Sequence, residues 1–301
     1  MLVAMRIGVF LIPASIDSYV AQVRAAKADG YASVWSAQIF GHDSMTAIAI
    51  AGREVPGIEL GTAVVPTYPR HPMMLAQQAL TVNEACNGNF VLGIGLSHKI
   101  VIEGMFGMSF DKPAIHMRDY LTILNSLFET GAVNYEGRSL TARAQITVAG
   151  AKAPSVMIAG LAPRMLELAG SLADGTITWM TGPQTIAGYI NPAMRAAAEK
   201  AGRPQPRTVA SLPVCVTDDP AGARAKAAKD FAMYGQLPSY RAMLDKEGAA
   251  GPADVAMVGD EASVAGQIET VAAAGVDDFV VNVFGSPEEQ ARTTAFVKTV
   301  L

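Results

Sequence analysis

The chain has 301 residues, 50% of them hydrophobic, with a formal charge of −4 and an isoelectric point near 5.6. Such a composition buries a sizeable core and excludes a disordered chain. With no block of Lys or Arg it offers no electrostatic footprint for nucleic acid or an anionic membrane, which leaves a small molecule as the expected partner.

The opening stretch MLVAMRIGVFLIPAS holds a short apolar run and one arginine, and RIGVFLI reads as a strand rather than a leader peptide. After this first strand, Arg6–Leu11, others are predicted over Ser33–Ser36, Ile58–Val64, Phe90–Ile94, Ser155–Ala159, Gly175–Thr178, Thr208–Val214 and Asp278–Val283. Alanine-rich helices are predicted to begin near Ile16, Ser44, His71, Ala114, Pro163, Thr185, Pro220 and Glu261, with a last one from Pro287. Several of them open on proline or a capping residue, as helix entry favours. No apolar run nears the roughly 20 residues that cross a bilayer. Cys86 and Cys215 stand far apart and outside any CxxC pair, so both are expected to be buried thiols of a cytoplasmic protein.

Alternating β and α segments, eight of each before the last helix, satisfy the closure of a (β/α)8 TIM barrel in a single domain over residues 1–301; an open doubly wound sheet is the alternative. Two connections exceed the usual length. Ala132–Val148, carrying NYEGR, predicts a hairpin excursion, and Gly235–Gly259, carrying PSYRAMLDKEG, predicts a lid-like segment. The alanine-rich exterior and several apolar helices make a homodimer an expectation.

In a barrel the reactive face lies at the C-terminal ends of the strands. The residues there are Pro13 and Ala14; Ala37, Gln38 and Phe40; Val65 to Tyr68; Ser97 to Lys99; Gly160 to Pro163; Trp179 to Gly182; and Asn282 with Phe284. This rim is mostly apolar and aromatic, with one histidine and no carboxylate. Hard cations need several carboxylates and zinc needs clustered His or Cys, so no metal is expected, and a paired-carboxylate mechanism lacks its parts. A planar, weakly charged cofactor suits the lining.

Two short runs allow alternatives. In IAGLAPRML a strand passes into Pro163 and a helix, which either offers N–H groups and Arg164 to a phosphate or is a plain β-to-α turn. In LGIGLSHK there are two of the three glycines of a dinucleotide loop and no ribose-binding acid about 20 residues on. A strand packed tightly inside a barrel explains those glycines at least as well.

The motifs GYASVWSAQIFGHD, LGTAVVPTYPRHP, FVLGIGLSHK and APSVMIAGLAPRMLELAGSLADGTITWMTG, in this order, resemble the luciferase-like flavin and deazaflavin oxidoreductases. Within them the chain is similar to the actinobacterial branch that uses coenzyme F420, over nearly its whole length. The resemblance implies a barrel with the deazaflavin across its mouth. It implies that Ala63-Val64 forms a bulge with a non-proline cis peptide behind the ring, where the residues alone are equally read as a plain strand end. It also implies that Gln38, Gly95, Leu96 and Ser97 bind the ring beside His98, and that Gly160, Leu161, Ala162, Pro163 and Arg164 hold the phosphate of the tail. FMN is the alternative cofactor, in a monooxygenase on the same barrel; a cofactor-binding protein without catalysis is a third possibility.

Departures from the family matter as much. Its sugar-phosphate dehydrogenases carry Asp-His after strand two, where this chain has Ala37-Gln38, and a Glu after strand four, where it has His98. His98 is then the one titratable side chain placed to exchange a proton near the ring, in a hydride transfer to an activated alkene, an imine or a carbonyl. Its competing role is to cap the following helix or pair with Glu103. His71 is read at a helix start, His42 and His116 as surface or capping residues, and Arg70 as a contact for an anionic tail. Tyr68, Trp179, Tyr234 and Tyr240 could form an aromatic pocket, but are read as core packing, the usual fate of such residues.

Overall fold

Each of eight parallel strands pairs with two neighbours: β1 (Arg6–Phe10), β2 (Ser33–Ser36), β3 (Glu59–Thr62), β4 (Phe90–Gly95), β5 (Ser155–Ala159), β6 (Gly175–Trp179), β7 (Arg207–Val216) and β8 (Asp278–Val283). They follow one another in chain order, and β8 returns to β1 from Arg6↔Asp278 to Val9↔Val281. The ring is therefore closed, a (β/α)8 TIM barrel and not an open sheet. The computed structural model describes residues 5–148 and 150–301, so the first four residues of the stretch weighed as a leader lie outside the described residues.

The intervening helices start where the sequence offers caps. Asp43 accepts from Thr46 N–H at 2.9 Å ahead of Ser44–Glu54, and Ser286 forms a capping box with Glu289 ahead of Pro287–Val297. Three segments differ from expectation. Strand three stops at Thr62, the Ala63-Val64 peptide is cis, and pairing resumes over only Val65–Pro66. Strand β7 runs on to Val216, where an outer strand, Met257–Gly259, joins it. A short helix, Lys99–Gly104, precedes the predicted helix Pro113–Thr130; six residues are too few to show a helical period.

Both excursions form ordered structure. Ala132–Glu136 and Thr141–Gln145 make the expected antiparallel hairpin, and the lid-like segment is built of helices Ala232–Gln236, Pro238–Glu247 and Pro252–Val255. Among the described residues no helix is long and apolar enough to cross a membrane.

The barrel interior is filled by Trp35, Val91, Met157, Ile177, Val209 and Val280. Trp35 fits because Gly61 opposite it has no side chain: a Cβ there would lie 2.5 Å from the indole. Below Trp35 the N-terminal pole is closed by four charges from the first residues of their strands. Arg6 lies 2.8 Å from Glu59 and 2.6 Å from Asp278, and Arg207 lies 2.6 Å from each of the same two carboxylates. The alternation of sign lets one cluster tie β1, β3, β7 and β8 together at the buried Asp278.

His116 is not a surface or capping residue. It is buried in helix Pro113–Thr130 and stacks on Tyr68 at 4.0 Å with an interplanar angle of 3°, its Nε2 3.0 Å from Thr67 Oγ1. The period of that helix turns it inward, which a single His gives no local sign of. Burial pushes its pKa down to about 4, against the pull of Asp119. His71 does sit at a helix start: its Nδ1 accepts from Met73 N–H at 3.3 Å, which leaves Nε2 to donate to the Thr141 carbonyl at 3.1 Å.

Two measurements test these assignments. Asp278→Ala leaves Arg6 and Arg207 to share Glu59 and should cost about 2 kcal/mol in urea unfolding at pH 7, the loss of charge-assisted hydrogen bonds; a loss under 0.5 kcal/mol, about the size of an ordinary surface pair, would contradict the cluster's role. His116 is neutral in the fold but takes a proton near pH 6.5 when unfolded, so the folded state loses stability as pH falls from about 6.5 to about 4, by about 3 kcal/mol. His116→Gln should remove that part of the slope, and parallel stability curves for the two proteins would refute it.

Candidate active site

Because all eight strands run in one direction, their C-terminal ends meet at one mouth. Phe10, Ala63 and Val64 rest on the interior plug and are half-exposed, so the mouth is floored but not filled.

The floor is set where β3 meets β4. Leu60 faces Phe90 and Gly61 faces Val91, but further on Val65 faces Ile94. Five steps along the third strand therefore match four along β4, and the extra residue is taken up at the cis Ala63-Val64 peptide. The Thr62 hydroxyl fills the interrupted ladder, accepting from Gly93 N–H at 2.9 Å and donating to the Gly93 carbonyl at 2.8 Å. Glycine is required there, since a Cβ would lie 1.9 Å from the Thr62 carbonyl oxygen, and at Gly95 it would lie 2.6 Å from Val64 Cγ2. The two glycines of LGIGLSHK thus serve the bulge, and neither forms a dinucleotide loop. On the β2 side, Ala63 N–H donates to the Ser36 carbonyl at 2.8 Å and Gln38 N–H to the Val64 carbonyl at 3.3 Å.

Beyond Gly95 the chain passes through half-exposed Leu96, Ser97 and His98. Ser97 has φ +59°, a left-handed conformation that costs a non-glycine residue about 1 kcal/mol, and Met180 at the end of β6 shares it at +53°. His98 occupies the N-cap position of Lys99–Gly104, yet its ring makes no capping bond, and Glu103 is held by Lys99 at 2.9 Å. Neither structural role expected as its alternative is filled. Burial holds the imidazole pKa below its ordinary 6.5. A neutral ring beside an apolar floor can exchange a proton with a bound molecule.

The other predicted residues fall on the same mouth. Gly160 is buried against Met165, and Leu161 lends its carbonyl to the Tyr189 hydroxyl at 3.2 Å. Helix Pro163–Ser171 then begins with no side-chain cap, leaving Ala162, Pro163 and Arg164 exposed. Pro163 has no N–H, and Met165 and Leu166 N–H both donate to the Ala162 carbonyl, at 2.9 and 3.0 Å, so this start offers an anion the Arg164 N–H and its guanidinium. Gln38 spends its side-chain oxygen on Ser44, at 2.8 Å from N and 3.2 Å from Oγ, so only its backbone reaches the bulge. Arg70, read as a contact for an anionic tail, is paired with Asp43 at 2.7 Å.

The four aromatic residues read as core packing divide. Tyr68 stays behind the floor, between His116 and Phe110. Trp179, Tyr234 and Tyr240 form a line: Trp179 to Tyr234 5.8 Å, Tyr234 to Tyr240 5.2 Å, and Tyr240 to His98 6.1 Å. The lid-like segment is thereby brought to the histidine. Thr62 and Glu247, which hold the floor and the lid, carry no local signal, because their partners lie 31 and 62 residues away. The length of the connection holding PSYRAMLDKEG was the one mark of this face.

Known proteins share this architecture. A Mycobacterium tuberculosis protein provisionally named a coenzyme F420-dependent oxidoreductase is 28% identical over 230 residues, covering 70% of this chain and 66% of that protein. The coenzyme F420-dependent tetrahydromethanopterin reductase of Methanopyrus kandleri superposes with a TM-score of 0.81 at 20% identity, covering 98% of each chain. An F420-dependent secondary alcohol dehydrogenase in complex with an F420-acetone adduct does so at 0.83 and 17% identity, covering 99% of this chain and 98% of its own. At such identities the superpositions establish the fold alone. Residues 3–297 match the family of luciferase-like monooxygenases. A match running from the first strand to the last helix leaves no barrel element outside it, and the chain belongs to the luciferase-like monooxygenase family.

Proposed function

We propose that this protein is an F420-dependent oxidoreductase that moves a hydride between the reduced deazaflavin and a small organic substrate, an activated alkene, an imine or an alcohol/carbonyl pair. The observation that carries the reading is a half-buried, uncapped imidazole standing beside an apolar, carboxylate-free floor. The name of the M. tuberculosis relative agrees with it. Two free, buried cysteines fit a reducing, cytoplasmic setting.

The residues present fit the cofactor's two ends. Ala63 and Val64, half-exposed over the interior plug, offer an apolar surface for a ring, and the uncapped start of Pro163–Ser171 with Arg164 suits a phosphate. Coenzyme F420, when bound, supplies the hydride. Ala63 and Val64 would back the ring, and Ser97 would offer it a hydroxyl. His98 exchanges the matching proton through a ring nitrogen. Ala37-Gln38 and His98 stand where the sugar-phosphate dehydrogenases hold acid and base groups, so a sugar phosphate is not the substrate this mouth suits.

Titration of the protein with F420 and with FMN, followed by fluorescence, should show tight F420 binding that Arg164→Ala weakens about tenfold, the loss of one charge-assisted contact. Tighter binding of FMN would favour the monooxygenase reading instead. In the direction of substrate reduction His98 acts as an acid, so kcat should rise as pH falls through an apparent pKa below 6.5. The reverse reaction should rise with pH through the same value. His98→Ala should lower kcat by about 100-fold and flatten both profiles, and an unchanged profile would clear His98 of the role.

A further inference from the structure

The aromatic side chain nearest His98 comes from the lid and not from the barrel. Tyr240, Tyr234 and Trp179 are half-buried and meet edge to face, an arrangement aromatic rings favour. Burial pushes both tyrosine hydroxyls up, so they stay neutral at any working pH. Each charged side chain of helix Pro238–Glu247 is already engaged. Arg241 pairs with Asp245 at 2.8 Å and donates to the Ala249 and Ala250 carbonyls, and Lys246 lies 4.3 Å from the centroid of Tyr189. Glu247 accepts from Gln184 N–H at 3.1 Å, from Thr185 N–H at 2.7 Å and from Thr185 Oγ1 at 2.6 Å. Glycine at 182 admits that carboxylate, because a Cβ would lie 2.2 Å from Glu247 Cδ. The helix that carries Tyr240 is thus bolted at its far end to the connection that follows β6.

From the line of rings ending on His98 and the absence of a free charge on the helix that bears it, we infer that Tyr240, with Tyr234 and Trp179, selects an uncharged, planar, conjugated substrate, and that Glu247 is the positioning residue that keeps this face beside His98. The inference rests on the hydride-transfer reading. In a C=C–C=O unit the β-carbon takes the hydride, the π pair moves to the α-carbon and on to the carbonyl, and the α-carbon takes the proton from His98. The alkene is reduced and F420 is left oxidised, so electrons and atoms balance. A flat, neutral conjugated system lies against aromatic edges without losing hydration it cannot recover, whereas a carboxylate or phosphate would lose its hydration against rings that carry no opposite charge.

Two alkenes separate this from the broader reading: cinnamaldehyde, neutral and planar, and 4-carboxycinnamaldehyde, which keeps the same enal and adds a remote carboxylate. With reduced F420 saturating, kcat/KM for cinnamaldehyde should exceed that for 4-carboxycinnamaldehyde about 100-fold, most of it in KM. Tyr240→Ala should raise KM for cinnamaldehyde about tenfold while lowering kcat less. Glu247→Gln, which keeps one acceptor oxygen, should give the same KM-weighted loss in milder form, and Glu247→Ala a larger one. A readout without turnover is quenching of tryptophan emission by cinnamaldehyde in the enzyme loaded with oxidised F420; Tyr240→Ala should weaken it to the same degree as KM. If F420 binds but the two alkenes react alike, or Tyr240→Ala leaves both KM and quenching unmoved, this inference falls and the hydride-transfer reading stands. If F420 does not bind, both fall.

Discussion

The contact between Thr62 and Gly93 governs the working end of this protein. A backbone carbonyl sits where any side chain at position 93 would have to go, and one hydroxyl replaces the ladder bonds that the slip in register removes. With the ladder closed in this way, β3 can carry an extra residue without opening the barrel wall. Val64 and Ala63 are then delivered to the mouth and Val65–Pro66 returns to pairing with β4. Glycine at 93 and 95 is a demand of this packing before it is anything to do with a ligand.

From that contact the rest of the site follows by adjacency. The bulge hands backbone bonds to Ser36 and Gln38 on one side, and on the other it fixes the end of β4, from which Ser97 turns in a left-handed conformation into His98. Gln38 anchors the next helix through Ser44 while its own N–H secures Val64. Removing any one of these would loosen the floor more than the barrel, because the strand pairs below remain intact.

Charge is divided between the two poles. The N-terminal pole concentrates Arg6, Glu59, Arg207 and Asp278 in mutual contact, where alternation of sign offsets the cost of desolvation. The C-terminal mouth instead presents apolar and aromatic side chains and one neutral imidazole. Trp35 and the interior plug form the insulating layer between the charged pole and the apolar mouth. The nearest charged pair to His98, Lys99 with Glu103, is closed on itself at 2.9 Å.

The alternation of apolar runs with alanine-rich helices marked the eight strands and both excursions, because periodicity and capping are local and each element records its own burial, while the choice between barrel and open sheet fell to the pairing of the last strand with the first. The motifs of the family likewise marked Ala63-Val64, the β4 end and Gly160–Arg164. Only the tertiary structure decided what those residues do for one another. It showed that Thr62 completes the ladder, that His116 is buried on Tyr68, that Arg70 belongs to Asp43, and that Glu247 fixes the helix bringing Tyr240 to His98. Each of these joins residues dozens of positions apart, and a side chain's partner across such a distance is selected by the closing of the barrel, which no neighbouring residue encodes.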